Sequence, residues 1–135
     1  MPHDRCMELA LYRLETSKEM LDAAQAELKR NSYRTANNRA YYAIFHGMRA
    51  VLALDQVDFK HHSGIISYFN QHYIATDVFP KQFSAIIKNA SLLRNSSDYD
   101  DFYICSVNDT IELVKSSELF VSAIDEFVRA KQTQI

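Results

Sequence analysis

The sequence predicts an all-α protein, built as an up-and-down bundle of about five helices. Only 2 of its 135 residues are glycine and 2 are proline, too few for the many tight turns of an all-β chain. Met7, Leu14, Leu21 and Leu28 lie one heptad apart, a spacing typical of long helices that pack at shallow angles. A chain of this length is expected to form a single domain, residues 1–135.

Two long helices are predicted at the start of the chain. The heptad pattern extends over residues 4–30, and residues 32–54 contain no proline and only one glycine, which predicts a second uninterrupted helix. Asn31 suits a left-handed helix end, and Ser32 suits the next N-cap. Because the turn is so short, the two helices are expected to form an antiparallel hairpin.

The second helix carries an unusual row of polar side chains. Most of its surface is apolar, which places it at the centre of a bundle or at a dimer interface. Arg39, Tyr42, His46 and Arg49 are spaced three, four and three residues apart, so they lie along one side of the helix. This polar row is a candidate site.

The second half of the chain predicts two more long helices. Pro80 fits the first turn of one of them, and the apolar stripe of this helix reaches Arg94, which places that arginine on the buried side. Residues 95–101 are rich in cap and turn formers, so we expect them to interrupt or end the helix. Ser106 has capping-box spacing to an aspartate three residues later, which predicts a last helix from near Ser106 to about Ala130.

The composition limits the classes of function. A formal net charge of −2 predicts no general affinity for nucleic acid, although a local basic patch stays open. No apolar run approaches the roughly 18 residues of a membrane-spanning helix, and the N-terminus lacks the core of a signal peptide. We therefore expect a cytoplasmic protein without a membrane partner. Cys6 and Cys105 have no metal-binding or redox spacing and receive no function.

Charged groups on a core-facing stripe are costly unless they are paired. Arg39 or Arg49 is therefore expected to pair with an aspartate of residues 98–101, and such structural ion pairing is the simplest interpretation. The alternative is that the same polar cleft holds a phosphate or a ribose. Arg94 and His46 would then be available for electrostatic or proton-transfer work.

Other kinds of site find little support. Residues 60–64 open a short third helix and suit either an anion site or an exposed capping loop. His61 and His62 are adjacent and point apart, and no cysteine lies near them, so no metal is expected. No Gly-x-Ser-x-Gly elbow is present, which argues against acyl transfer. We expect no cofactor.

Three segments, residues 33–46, 60–69 and 94–100, resemble the HEPN domain superfamily. They occur in the family's order and cover nearly the whole chain. The third reads Arg94-Asn95-Ser96-Ser97-Asp98-Tyr99-Asp100. It is similar to the corresponding segment of small stand-alone bacterial and archaeal members.

The resemblance implies a helical bundle that is usually a homodimer, often encoded beside a minimal nucleotidyltransferase in toxin–antitoxin or defence cassettes. Active members cut RNA without metal, using an arginine, a following polar residue and a histidine about four residues further along. Arg94 and Asn95 match the first two positions, and Tyr99 occupies the position of the histidine. The resemblance therefore leaves ribonuclease activity open.

Three hypotheses follow. The first is a homodimeric protein that binds RNA or a nucleotide, together with a nucleotidyltransferase partner, through a polar cleft. The second is a metal-independent endoribonuclease toxin in which Arg94, Asn95 and His46 are catalytic, with His46 replacing the missing histidine. The third is a purely structural bundle. The nucleotide- or RNA-binding residues of the cleft are expected to be Arg39, Tyr42, Arg49, Asp98 and Tyr99.

Overall fold

A computed structural model of the protein describes residues 3–134. Residues 1, 2 and 135 of the expected domain lie outside this part. A π-helical segment, Asn70–Ile74, directly follows the third helix. The all-α prediction is confirmed, because the described residues form five α-helices: α1 (His3–Lys29), α2 (Tyr33–Leu54), α3 (His62–Phe69), α4 (Gln82–Tyr99) and α5 (Val107–Thr133).

The first two helices form the antiparallel hairpin that the short turn predicts. Asn31 has a φ of 62°, the left-handed conformation that reverses the chain after α1. Ser32 is the N-cap residue of α2, although its side chain makes no capping hydrogen bond. The Oγ of Ser17 donates to the carbonyl of Ala43 at 2.6 Å. Arg13, nearer the start of α1, donates to the carbonyl of Arg49, nearer the end of α2, at 3.1 Å. The two helices therefore run in opposite directions.

The central element of the bundle is α2, as its wide apolar surface predicts. It packs against α1, α3, α4 and α5. Gly47 lies where α1 and α5 both approach closely, since a Cβ there would stand 3.4 Å from the Ser17 Oγ and 3.3 Å from a carbon of Ile124. From α5, Ser117 donates to the carbonyl of Ala40 at 3.2 Å. The fully buried large side chains around α2 include Leu14, Ile44, Met48, Phe69, Phe83, Phe120 and Ile124.

The π-helical segment keeps two aromatic side chains of successive turns in the core. Phe69 and Tyr73 stack with ring centroids 5.7 Å apart. The hydroxyl of Tyr73 donates to Asp55 Oδ2 at 2.5 Å, and this contact holds the segment against the end of α2. None of the helices in residues 3–134 has an apolar stretch long enough to cross a membrane.

The last two helices differ in part from the prediction. Residues 95–99 do not interrupt α4, which continues to Tyr99 and ends there. The cap-forming side chains are compatible with helix here because neighbouring elements bind the last turn. The start of α5 is as predicted, since the Ser106 Oγ accepts a hydrogen bond from the Asp109 amide at 3.2 Å. This helix ends at Thr133, three residues beyond Ala130.

Candidate functional site

Arg94 lies at the centre of a cluster of aromatic side chains. Its Nη2 donates to the Tyr42 hydroxyl at 2.8 Å and approaches the Tyr99 hydroxyl at 3.4 Å. The guanidinium carbon is 5.3 Å from the ring centroids of Tyr41, Tyr42 and Tyr99 alike. Its side chain is 16% exposed, so these neighbours cover most of the guanidinium. These contacts bring the polar row of α2 against the third sequence segment.

A series of polar side-chain contacts leads from Arg94 to the first turns of α2. The Nε of Arg94 is 3.1 Å from Asp98 Oδ2. This contact is an ion pair without a well-aligned hydrogen bond, because the buried Nε has no hydrogen-bond acceptor among the described residues. Asn38 donates to the same carboxylate at 2.9 Å, and Arg39 donates to the side-chain oxygen of Asn38 at 2.7 Å. Arg39 therefore reaches Asp98 only through Asn38.

The last turn of α4 is bound to the first turns of α2. The guanidinium of Arg34 donates to the carbonyls of Ser97 at 2.8 Å and Asp100 at 3.2 Å, and also to the carbonyl of Tyr103. The buried amide of Asn37 donates to the Ser97 hydroxyl at 3.0 Å. These bonds satisfy carbonyls that a helix end leaves without partners. They also fix the position of Tyr99 beside Arg94.

His62 joins this cluster, although the sequence indicated no individual role for it. It is the first residue of α3, and its Nδ1 lies 3.0 Å from the Tyr41 hydroxyl. Its ring packs on Phe45 with centroids 4.1 Å apart. Burial lowers the pKa of His62, and the positive charge of Arg94 lowers it further. A histidine that stays neutral beside an arginine is suited to accept a proton.

His46 and Arg49 belong to the neighbouring part of the polar row. Burial lowers the pKa of His46, and the charges of Arg49 and Arg13 lower it further. The positive charge of Arg94 contributes to the lowered pKa of His62 but not to that of His46. The tentative catalytic role of His46 therefore stays a prediction, and the structure brings a different histidine next to Arg94.

The expected partners of the two arginines in the polar row were wrong. Arg49 pairs with Asp58 at 3.2 Å, and Arg13 of α1 reaches the same oxygen at 3.3 Å. Arg39 makes no ion pair with the described aspartates of residues 98–101; it contacts Asn38. The connection between α2 and α3 supplies the acceptor for Arg49, and spacing along the chain gave no sign that this loop would fold back.

The predicted residues thus separate into two adjoining groups. Asn95 belongs to the Arg94 group, since its side-chain oxygen accepts from Arg94 Nη1 at 3.2 Å. His46 and Arg49 form the second group with Arg13. Within residues 3–134, no set of three or more His, Cys, Asp or Glu side chains is placed to hold a metal ion. The geometry of the Arg94 group allows an anion to bind between a guanidinium, tyrosine hydroxyls and a neutral imidazole. The members of this group are Tyr41, Tyr42, His62, Arg94, Asn95, Asp98 and Tyr99.

Comparison with known proteins gives several relatives of similar length. A "UPF0332 protein" of Thermotoga maritima is 27% identical over 112 residues, which cover 83% of this chain and 85% of the relative. A "UPF0332 protein" of Gloeobacter violaceus is 30% identical over 116 residues, covering 85% of this chain and 92% of the relative. A protein of Methanocaldococcus jannaschii named "Putative toxin MJ0605" is 28% identical over 116 residues, 86% of each chain.

A family model agrees with these relatives. The model described as "HEPN domain" matches residues 10–127, a range that contains all three segments noted in the sequence. The predicted resemblance is confirmed over most of the chain. The protein belongs to the HEPN domain family.

Proposed function

We propose that this chain is a toxin-type HEPN protein that binds RNA or a nucleotide through a phosphate at Arg94. The observation that carries the proposal is the environment of this arginine, which faces three tyrosine rings and one carboxylate. A guanidinium is suited to bidentate contact with phosphate oxygens, and the ring of Tyr99, 72% exposed, offers a face for base stacking. Two M. jannaschii relatives, both named "Putative toxin", support the toxin type.

The proposal includes a homodimer that acts with a minimal nucleotidyltransferase partner, as the family resemblance implies. Its support is the exposed apolar segment that follows Arg94. Tyr99 is 72% exposed, Phe102 94% and Ile104 89%. Apolar side chains grouped at such exposure are typical of surfaces that bind protein. Size measurement and co-purification test this part, and a lone monomer without either partner contradicts it.

Binding is tested with the purified protein and a fluorescent oligouridylate. Arg94→Ala is expected to weaken binding by about tenfold or more, which corresponds to at least about 1.4 kcal/mol of lost phosphate contact. Arg30→Ala is the control, since Arg30 is 75% exposed and forms a surface ion pair with Glu27 at 3.4 Å. If Arg94→Ala binds as tightly as the unmodified protein, the proposal is wrong.

The second candidate is a metal-independent endoribonuclease, which the position of His62 favours over the version with His46. In this scheme the Nε2 of His62 takes the proton of a ribose 2′-hydroxyl, while Nδ1 keeps its proton and donates to Tyr41. The 2′-oxygen attacks the phosphorus and the bond to the 5′-oxygen breaks. Arg94 offsets the charge that develops on the phosphoryl oxygens. The exposed Tyr99 hydroxyl is placed to give the leaving oxygen its proton.

Expression of the protein alone separates the two candidates. An endoribonuclease arrests growth and changes the profile of total RNA, and Arg94→Ala and His62→Gln both abolish these effects. If the protein only binds RNA, expression of the unmodified protein and of His62→Gln gives the same, unchanged profile of total RNA. RNA cleavage that persists in His62→Gln but disappears in His46→Gln would restore His46 as the proton acceptor.

A further inference from the structure

A second cluster of positive charge lies beside the Arg94 group, on the face shared by α1 and α2. Arg13 and Arg49 share the single carboxylate of Asp58, at 3.3 Å and 3.2 Å. Arg13 also donates to the carbonyl of Arg49 at 3.1 Å. Two guanidinium groups and one carboxylate leave an excess of one positive charge. The side chain of Arg13 is only 11% exposed, so water screens this excess less than it screens a surface charge.

The cluster lines a depression rather than a filled contact. Leu9, Tyr12, Arg13, Thr16, His46 and Arg49 surround a volume of about 360 Å³. A guanidinium carries five N–H donors. Among the described residues, one nitrogen of the Arg49 guanidinium donates a hydrogen bond, to Asp58. Hydrogen-bond donors on a half-buried, positively charged surface are what an anion site requires.

We propose that Arg13, Arg49 and His46 form a second anion site, which takes a further phosphate of the strand bound at Arg94. This inference rests on the proposed function and extends it from one phosphate to a path. Tyr42, which contacts Arg94, and Arg49 are seven residues apart on α2, about 10 Å along the helix axis. A strand that follows the polar row therefore passes both groups.

Aromatic side chains accompany the two groups at either end of the path. Tyr99 is 72% exposed beside Arg94, and Tyr12 is 71% exposed beside Arg13. A basic groove with exposed aromatic rings is the arrangement by which proteins hold single strands without reading their sequence. The ligand class is accordingly a single-stranded RNA with at least two phosphates. A duplex would keep its bases stacked on one another and leave both rings unused.

The second site is tested first without RNA, by NMR titration of the His46 ring in inorganic phosphate. Arg49, Arg13 and His62 are the charged and titratable groups that act on this ring. A phosphate bound at the arginines stabilises the imidazolium, so the pKa of His46 is expected to rise with phosphate concentration. Arg49→Gln should abolish the rise, and Lys115→Gln, the same loss of charge at an exposed side chain of α5, should retain it.

The variant Asp58→Asn distinguishes an anion site from a pair of arginines that only hold the loop after α2 in place. If the arginines bind phosphate, Asp58→Asn removes a competing carboxylate and tightens phosphate binding. If they only hold the loop after α2, Asp58→Asn loosens the arginines and phosphate has no effect on His46 in any variant. The second result overturns the inference. Thermal unfolding of each variant shows whether it is folded.

A nonameric oligouridylate then tests whether both sites bind one strand. Each phosphate contact on a single strand contributes about 0.7 to the slope of log affinity against log salt. Arg49→Gln is therefore expected to reduce the slope by about 0.7, and Lys115→Gln to leave it unchanged. If Arg94→Ala weakens binding but Arg49→Gln does not, only the second site is refuted. If Arg49→Gln weakens binding but Arg94→Ala does not, the proposed function fails and the second site stands.

Discussion

Arg34 is the residue whose replacement should reveal how the end of α4 is held. Its guanidinium donates to the carbonyls of Ser97, Asp100 and Tyr103, and its carbon lies 5.6 Å from the Tyr103 ring centroid. Arg34→Met keeps the apolar stem and removes every donor. A hydrogen bond from a charged group contributes about 1.5–3 kcal/mol, and less at a partly exposed site. We count the three partly exposed bonds at about 0.75 kcal/mol each, half of the lower bound. With a cation–π contact of about 0.5–1 kcal/mol, the expected loss of unfolding free energy is about 3 kcal/mol.

Urea and thermal unfolding are monitored by the circular dichroism of the helices. Hydrogen exchange is measured at residues 97–104. For a domain of this size a loss of about 3 kcal/mol lowers Tm by roughly 10 °C. Arg30→Met is the matched control. Arg30 is 75% exposed and pairs with Glu27 at 3.4 Å, a surface contact that contributes less than about 1 kcal/mol.

Two outcomes would contradict this reasoning. If Arg34→Met and Arg30→Met are equally stable, the bonds from Arg34 do not contribute to folding. If stability falls but exchange at residues 97–104 does not quicken, Arg34 acts elsewhere in the bundle. Faster exchange confined to this segment supports the assignment, because the last turn of α4 then opens without the rest of the helix.

Two further predictions concern the core and the response to pH. Burial and the bond to Asp55 raise the pKa of Tyr73, so its hydroxyl stays protonated and donates. Tyr73→Phe should lower the free energy of unfolding in urea by about 1–2 kcal/mol. An unchanged midpoint of the urea transition would refute this prediction. The pKa of His46 is lowered from 6.5 in the folded protein, so the unfolded chain binds the proton more readily and stability falls as the pH drops below about 6.5. His46→Gln should flatten this fall, and unfolding curves with the same pH slope in both proteins would contradict it.

The fold was predictable because its signals are local. Two glycines and two prolines in 135 residues, with the heptads of α1, are enough to specify long helices. Asn31 was identified correctly for the same reason, since its left-handed φ of 62° reverses the chain within one residue. Residues 95–101 were expected to interrupt or end α4; the helix ends within them, at Tyr99, and only the exact residue was not predicted. The acceptors for Arg34 lie more than sixty residues away in the chain, and no local preference reports them.

The site was predictable only in part, because its members come from four segments of the chain. The row on α2 and the segment after Arg94 were found by spacing and resemblance. His62 was passed over, since a histidine at a helix start usually faces solvent and only the packing of α3 on α2 brings it beside Tyr41. Arg13 carried no signal in the heptad pattern of α1. The pairing of Arg49 was mistaken because the loop that carries Asp58 folds back onto α2.

The bonds between the start of α2 and the end of α4 have an evolutionary consequence. Asn37 contacts Ser97, and Asn38 contacts Asp98, so two adjacent residues of one helix each depend on one of two adjacent residues of another. A change at Asn38 alone leaves the carboxylate of Asp98 with Arg94 as its remaining contact, and a change at Asp98 alone removes the acceptor of the Asn38 amide. We expect related sequences to exchange these residues in pairs, so that two motifs sixty residues apart are inherited as one unit.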